Sequence, residues 1–299
     1  MTTWADEVDQ YVDRYQDRER DVVRANADMV RRVIRGQGPD KATVDPAAGG
    51  RAVVNLAAVH VPGFCNPKPG DKAYKNTYDL GTTHILGETP PGESASLRAL
   101  VDEIIRTVTG ADPRNLYFAA VEVNGTGIRF YGDVCLVLKP ERVPGDTAVL
   151  NSNSYDLIRP PLTPLGSVPD HDIMKGHLED MSGVWQSDVG DMAVMKTFQT
   201  RTHHDRRLTT GQVSNALLED EDYLEVLKVG TFSASDLQEA RASVADTAAE
   251  AKIFERLQHG PCPSLAELQW RKHRLAAVRA LQTAGVRTRV VTTSGRVRG

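Results

Sequence analysis

The chain has 299 residues, of which 40% are hydrophobic and 25% charged, and its formal net charge is -4. That length fits one large domain or two ordinary ones, with enough apolar residues for a sizeable core. A slightly acidic chain does not coat nucleic acid over its whole surface, and no stretch approaches the roughly 18 apolar residues of a membrane span.

The opening residues MTTWADEVDQ are acidic and lack an apolar run, so no secretory signal is expected. Cys65, Cys135 and Cys262 lie far apart and form no CxxC pair. Neither a disulfide framework nor a cysteine zinc site is expected, and the expected setting is a reducing cytoplasm.

Over 7–35 the apolar residues Val8, Tyr11, Val12, Tyr15, Val22, Val23, Met29, Val30, Val33 and Ile34 recur at helical spacing. This predicts one amphipathic helix, continuous or broken, stopped by the Gly36-Gln37-Gly38-Pro39 turn. It either packs on the domain or supplies the seam of a homodimer, although Glu19 and Asn26 would sit on such a seam. A buried strand is expected over 52–61, a helix over 94–108 and a strand over 117–123.

The stretch VEVNGTGIRFYGDVCLVLKP, residues 121–140, reads as two strands joined by a tight turn at Asn124-Gly125-Thr126-Gly127. In such a hairpin Arg129, Tyr131 and Asp133 share one face. With Glu122 on the same side, an acid, a cation, a phenol and a second acid converge to bind a polar ligand or stabilise developing positive charge. The alternative is an open sheet face with a Glu122–Arg129 cross-strand ion pair. Cys135 reads as a small buried hydrophobe inside a strand, and Cys65, near two lysines, as the more activatable thiol.

Arg159-Pro160-Pro161 ends the β-rich layer, and from His171 onward the pattern is mainly helical. Ser264 and Glu267 have capping-box spacing, Gly285 is a helix stop, and VRTRVVTT alternates like a final edge strand. The predicted class is α+β. A mostly antiparallel central sheet is flanked by the N-terminal amphipathic helix (1–36) and a helical C-terminal third (171–299). The sheet lies in 37–170, and the whole is packed as one domain.

Residues 131–156, from YGDVCLVLK through a threonine-bearing strand to NSYD, resemble the late sheet segment of bacterial ADP-ribosyltransferase-like toxin domains. The resemblance implies an enzyme acting on a nucleotide-type ligand, with NAD as donor of the ADP-ribosyl group. It implies Glu122 as the acid that steadies the oxocarbenium-like state, with Tyr131 and Asp133 beside it. It further implies His84 as an early-strand histidine, Arg129 as a pyrophosphate contact and Tyr155 as a stacking or ribose contact. Tyr74, Tyr78 or Tyr131 would stack on the nicotinamide ring.

Other chemistries find less to work with. His171, His177 and the run His203-His204-Asp205 lack metal-site spacing, and three arginines crowd the second group, so no metal is favoured. GxSxG and GxxxxGK are absent. After Glu267 only basic charges follow, among them Arg271, Lys272, Arg274, Arg279, Arg287, Arg289, Arg296 and Arg298. That segment either meets nucleic acid or an acidic partner, which would make the chain a non-enzymatic binding protein, or pairs with acidic runs such as Glu219 to Asp222.

Overall fold

The structure is a computed structural model that describes residues 3–37, 49–80, 91–159, 161–164, 167, 170–200, 206–219 and 222–292. The chain begins with helices α1 (Trp4–Val12) and α2 (Asp17–Ile34), followed by strand β1 (Arg51–Leu56). Short helices α3 (Val61–Cys65) and α4 (Thr77–Leu80) precede the long α5 (Pro91–Thr109). Strands β2 (Leu116–Glu122), β3 (Val134–Leu138) and β4 (Ala148–Leu150) come next, then α6 (His171–Met181) and β5 (Ser182–Val184). Helices α7 (Val189–Thr200) and α8 (Thr210–Leu217) lead into the pair β6 (Leu218–Glu219) and β7 (Asp222–Tyr223). Strands β8 (Glu225–Val229) and β9 (Leu237–Ser243), helices α9 (Val244–His259) and α10 (Leu265–Thr283), and strand β10 (Thr288–Val291) complete the fold.

Eight strands form one sheet in the order β10-β9-β3-β1-β2-β8-β4-β5, antiparallel throughout except where β10 runs parallel to β9. The α+β class and the mostly antiparallel sheet are as the sequence predicts. The C-terminal third is less purely helical than expected, because β8 and β9 enter the same sheet. β8 is a short, mostly buried run, which periodicity alone does not separate from buried helix, and β9 (LQEARAS) buries the polar residues Glu239, Arg241 and Ser243, so no apolar alternation marks it.

The N-terminal periodicity is divided at Asp13 to Gln16 into two helices, α1 opening on a capping box between Thr3 and Asp6. The break lets both halves lay their apolar stripes on α7. Val8, Val12, Val23, Val30 and Ile34 are buried there with Met192, Val194 and Phe198. Asn26, expected on a dimer seam, is 2% exposed and bonds the main chain at Arg206 and Leu208, while Glu19 faces solvent. The stripe that would have made a seam is covered within the chain. The opposite face of the sheet is closed by α5 and α6 around Ile104, Ile105, Leu150, Leu157 and Met174.

The expected hairpin is absent. β2 and β3 do not touch as partners, because β1 lies between them and pairs antiparallel with both. They are therefore parallel to each other, and parallel neighbours need a crossover instead of a tight turn. Residues 123–133 make that return over one face of β1. Asn55 holds it down, its side-chain amide donating to the carbonyls of Thr126 and Gly132 at 2.9 Å each. Gly127 takes a positive φ of 66°, and a Cβ on Gly132 would stand 2.2 Å from the β1 main chain, so both glycines are required by this close approach. A local pattern identifies a strand but not the partner that arrives from elsewhere in the chain.

Candidate ligand-binding cleft

The ladder between β1 and β2 stops early. It runs through Arg51↔Glu122, Ala52↔Val121 and Val53↔Ala120, yet β1 continues to Leu56 beside β3 and β2 begins at Leu116 beside β8. Beyond Val53 and Ala120 the two halves of the sheet diverge. Asn76 satisfies one of the edges thus exposed, its amide donating to the carbonyl of Leu116 at 3.1 Å. A cavity of about 1030 Å³ occupies the gap, lined by consecutive residues 53–56 on one bank and 117–120 on the other. That size is at the upper end of ordinary small-molecule sites.

The walls are aromatic to an unusual degree for this chain. It has 8 tyrosines and 6 phenylalanines, and half of them line the cavity: Phe64, Tyr74, Tyr117, Phe118, Tyr131, Tyr155 and Tyr223. Tyr74 is packed in place by stacking on Phe232, with ring centroids 4.5 Å apart, and by the edge of Tyr117 at 6.0 Å. Such interlocked rings lose little freedom when a ligand settles on them.

Two charged side chains are buried at the floor. Glu225 opens β8 and is 3% exposed; it accepts a 2.9 Å bond from the Ser154 amide and a longer 3.4 Å bond from the Tyr223 hydroxyl. Burial pushes its carboxyl above the ordinary glutamate range, against the opposing pull of Ser154 and the Arg98 charge. Arg98 on α5 is tied to Asp102 at 2.8 Å, one turn away, and Asp102 is also bonded by the Tyr78 hydroxyl. The Arg98 guanidinium lies over Phe118 and Tyr155, 4.3 and 5.3 Å from their centroids.

The mouth is cationic. Lys68, Lys72 and Lys75 line it, Lys72 paired with Asp79 at 2.7 Å and Lys75 with Asp71 at 3.4 Å. Lys68 has no ion-pair partner among the described residues. Tyr131, 44% exposed, stands at the rim, and its hydroxyl bonds that of Tyr223, giving a hydroxyl path from solvent to Glu225.

The residues singled out from sequence are divided by this geometry. Tyr131 and Tyr155 line the cavity. Glu122 does not: it is fully buried elsewhere, accepting from Ser214 at 2.6 Å and from the amides of Val123 and Asn124. Arg129 pairs with Asp246 at 2.5 Å. Asp133 accepts from the Ala58 amide at 2.8 Å and faces Arg274 at 3.2 Å. The expected convergence of Glu122, Arg129, Tyr131 and Asp133 on one face therefore fails, for the same reason as the hairpin that would have produced it. His84 lies outside the described residues, as do His203 to Asp205. Among the described residues no group of three or more His, Cys, Asp or Glu is placed to hold a metal ion.

Cys135 is the buried hydrophobe expected, its thiol pushed up to about 12 chiefly by burial. Burial raises the Cys65 thiol as well, so the expected activation by nearby lysines is not realised there. The basic C-terminal segment is partly turned inward. Arg274 is 4% exposed among Asp133, Asp246 and Glu250, and Arg289 pairs with Glu239 at 2.8 Å. These partners are not the Glu219 to Asp222 run, and Arg296 and Arg298 lie outside the described residues. Asn153, the first residue of the NSYD stretch, lines the cavity, whereas Arg98 and Glu225 carry no signal in the sequence analysis. For Glu225 the sequence offers only a lone Glu opening the apolar run EVLKV, a pattern that also fits a strand end facing water.

Comparison with protein-family models, with curated proteins and with solved structures gave no match to the chain. Among the described residues no helix is long and apolar enough to cross a membrane.

Proposed function

We propose that the chain is a cytoplasmic enzyme that takes a nucleotide-type ligand into the cleft, with NAD as substrate and ADP-ribosyl transfer as the reaction. One observation carries the proposal: a buried carboxylate, Glu225, at the floor of a tyrosine-walled cavity whose mouth carries Lys68, Lys72 and Lys75. Flat rings suit a base, lysines suit phosphate oxygens, and Asn153 with Glu225 suits ribose hydroxyls. NAD would supply the ADP-ribosyl group and nicotinamide as the leaving group. The carboxylate of Glu225 would stabilise positive charge developing on the ribose, the role the sequence resemblance implied for Glu122. The free thiols of Cys65, Cys135 and Cys262 accord with a cytoplasmic setting.

The test is release of nicotinamide from NAD, followed by chromatography, for the wild type, Glu225→Gln and Glu122→Gln. Glu225→Gln should reduce turnover by about 10²-fold or more, and folded Glu122→Gln should retain it. Full turnover in Glu225→Gln, or no release by the wild type with or without an added protein acceptor, would overturn the proposal.

A further inference from the structure

Asn153 has one end fixed and one end turned to the cavity. It follows β4 and caps a short 3-10 helix, Ser154–Ile158, where its Oδ1 accepts from the Tyr155 amide at 3.0 Å. A main-chain N–H can only donate, so the oxygen of the side-chain amide must face it and the NH2 group is turned the other way. That Nδ2 donates to nothing among the described residues, although Asn153 is 3% exposed and lines the cavity. It is not sealed in, as the unpartnered Oδ1 atoms of Asn55 and Asn151 are. A buried donor held by its own cap and facing a cavity is preset for an acceptor on a ligand.

The corner around Asn153 decides which acceptor that is. The next residue, Ser154, bonds Glu225 through its amide at 2.9 Å, and the one after, Tyr155, lies under the Arg98 guanidinium. Glu225 stands opposite Ala120 of β2, and Ala119 and Phe118 continue that wall. Arg98 bonds Asp102 at 2.8 Å, and its charge also acts on Glu225. One buried guanidinium thus already serves two buried acids. A ligand carboxylate would bring a third, a buried charge with nothing left to compensate it. A neutral carbonyl accepts the same N–H bond without that cost. On walls this apolar it must be carried by an apolar or aromatic ring.

We infer that Asn153 reads the inner end of the ligand, its Nδ2 donating to a neutral carbonyl on a flat ring, with an aromatic carboxamide as the class that fits. The NH2 of such a carboxamide finds an acceptor in Glu225, which takes the Ser154 amide and the Tyr223 hydroxyl and has room for another donor on about four lone-pair sites. The inference rests on the cleft being the ligand site proposed above. In that reading the carboxamide is the one on the nicotinamide group, and Asn153 selects the group that leaves while Glu225 acts on the ribose. Asn153 is a specificity residue, and it gains or loses no proton.

The test is a ligand-observed NMR titration of the full chain at pH 8 with three probes built on one uncharged ring. These are nicotinamide, nicotinate, and 3-methylpyridine, which has a methyl group in place of the carboxamide. Nicotinamide should bind about tenfold more tightly than either of the others. Asn153→Asp keeps the oxygen that caps Tyr155 and replaces the donor by an acceptor, and Asn153→Ser keeps a capping oxygen without the reach or the charge. Both should melt close to the wild type, bring nicotinamide down to the 3-methylpyridine level and leave 3-methylpyridine unmoved. Equal binding of nicotinamide and 3-methylpyridine, tighter binding of nicotinate, no binding of any probe, or an unchanged preference in the two variants would overturn the inference. Selective binding of nicotinamide without its release from NAD would leave the inference standing and remove the transfer reaction. NAD turnover that depends on Glu225, with nicotinamide binding indifferent to Asn153, would do the reverse.

Discussion

Two buried charge clusters sit on opposite sides of β1, and they are built to opposite ends. Beneath α9 and α10, Arg274 is held among Asp133, Asp246 and Glu250, and Arg129 pairs with Asp246. Each carboxylate there meets a guanidinium, and the cluster fastens two helices to the sheet. In the cleft, Glu225 is bonded by an amide and a phenol, and the Arg98 guanidinium whose charge acts on it is itself bonded to Asp102. A buried acid with a cation partner holds structure together. A buried acid bonded to neutral donors, facing a cavity, costs stability that a ligand can recover.

The sharpest way to break this comparison is at the closed cluster. Arg274→Ala leaves Asp133, Asp246 and Glu250 facing one another with a single guanidinium, and removing one partner of a buried ionic group costs roughly 3–5 kcal/mol. Denaturant unfolding should show a loss of that size, and ligand affinity in the still-folded fraction should be unchanged. A loss no larger than that of an exposed Arg→Ala change would mean that the cluster is not holding the helices.

Glu122→Gln is expected to have the next largest effect. Its carboxylate accepts from Ser214 and two main-chain amides, and hydrogen bonds to a charged group contribute more than neutral ones, so about 1–3 kcal/mol should be lost. Probe binding in the cleft should not move. If it did, the separation of Glu122 from the ligand site would be wrong.

These two variants also show what could be read in advance. The sheet class, the 117–123 strand, the capping box at Ser264 and the terminal edge strand were legible because each is a local pattern with a local cause. Tyr131 and Tyr155, both candidates from sequence, reach the cleft. Glu122, Arg129 and Asp133 point to one site only if neighbours in sequence are partners in the sheet. That condition fails wherever a distant strand inserts, as β1 does between β2 and β3. Glu225 was illegible for a related reason: its meaning comes from Arg98, Ser154 and Tyr223, and of these only Tyr223 is near it in the chain.

A pH series sharpens the same contrast from the side of the open cluster. Burial raises the Glu225 carboxyl above its ordinary value of 4.5. A group that binds its proton more tightly when folded favours folding below the unfolded value, and that contribution is lost as pH rises through the folded value. Relative to Glu225→Gln, the wild type should therefore lose melting temperature as pH climbs above about 4.5. Parallel melting curves for the two proteins at every pH would mean that Glu225 titrates as it does in the unfolded chain.

The smallest expected effect is at the mouth. Lys68 is exposed and lacks an ion-pair partner among the described residues, so Lys68→Ala should leave the melting temperature within the scatter of ordinary surface changes. Its effect should appear only with a ligand that carries phosphate. NAD should bind a few-fold more weakly to the variant at low salt, and the difference should shrink as salt screens the mouth, where the Debye length is about 10 Å at 0.1 M. Binding of nicotinamide, which has no phosphate, should be the same in both proteins. A loss for nicotinamide equal to that for NAD would place Lys68 in the structure of the cleft and would dissolve the division between a cationic mouth and an acidic floor.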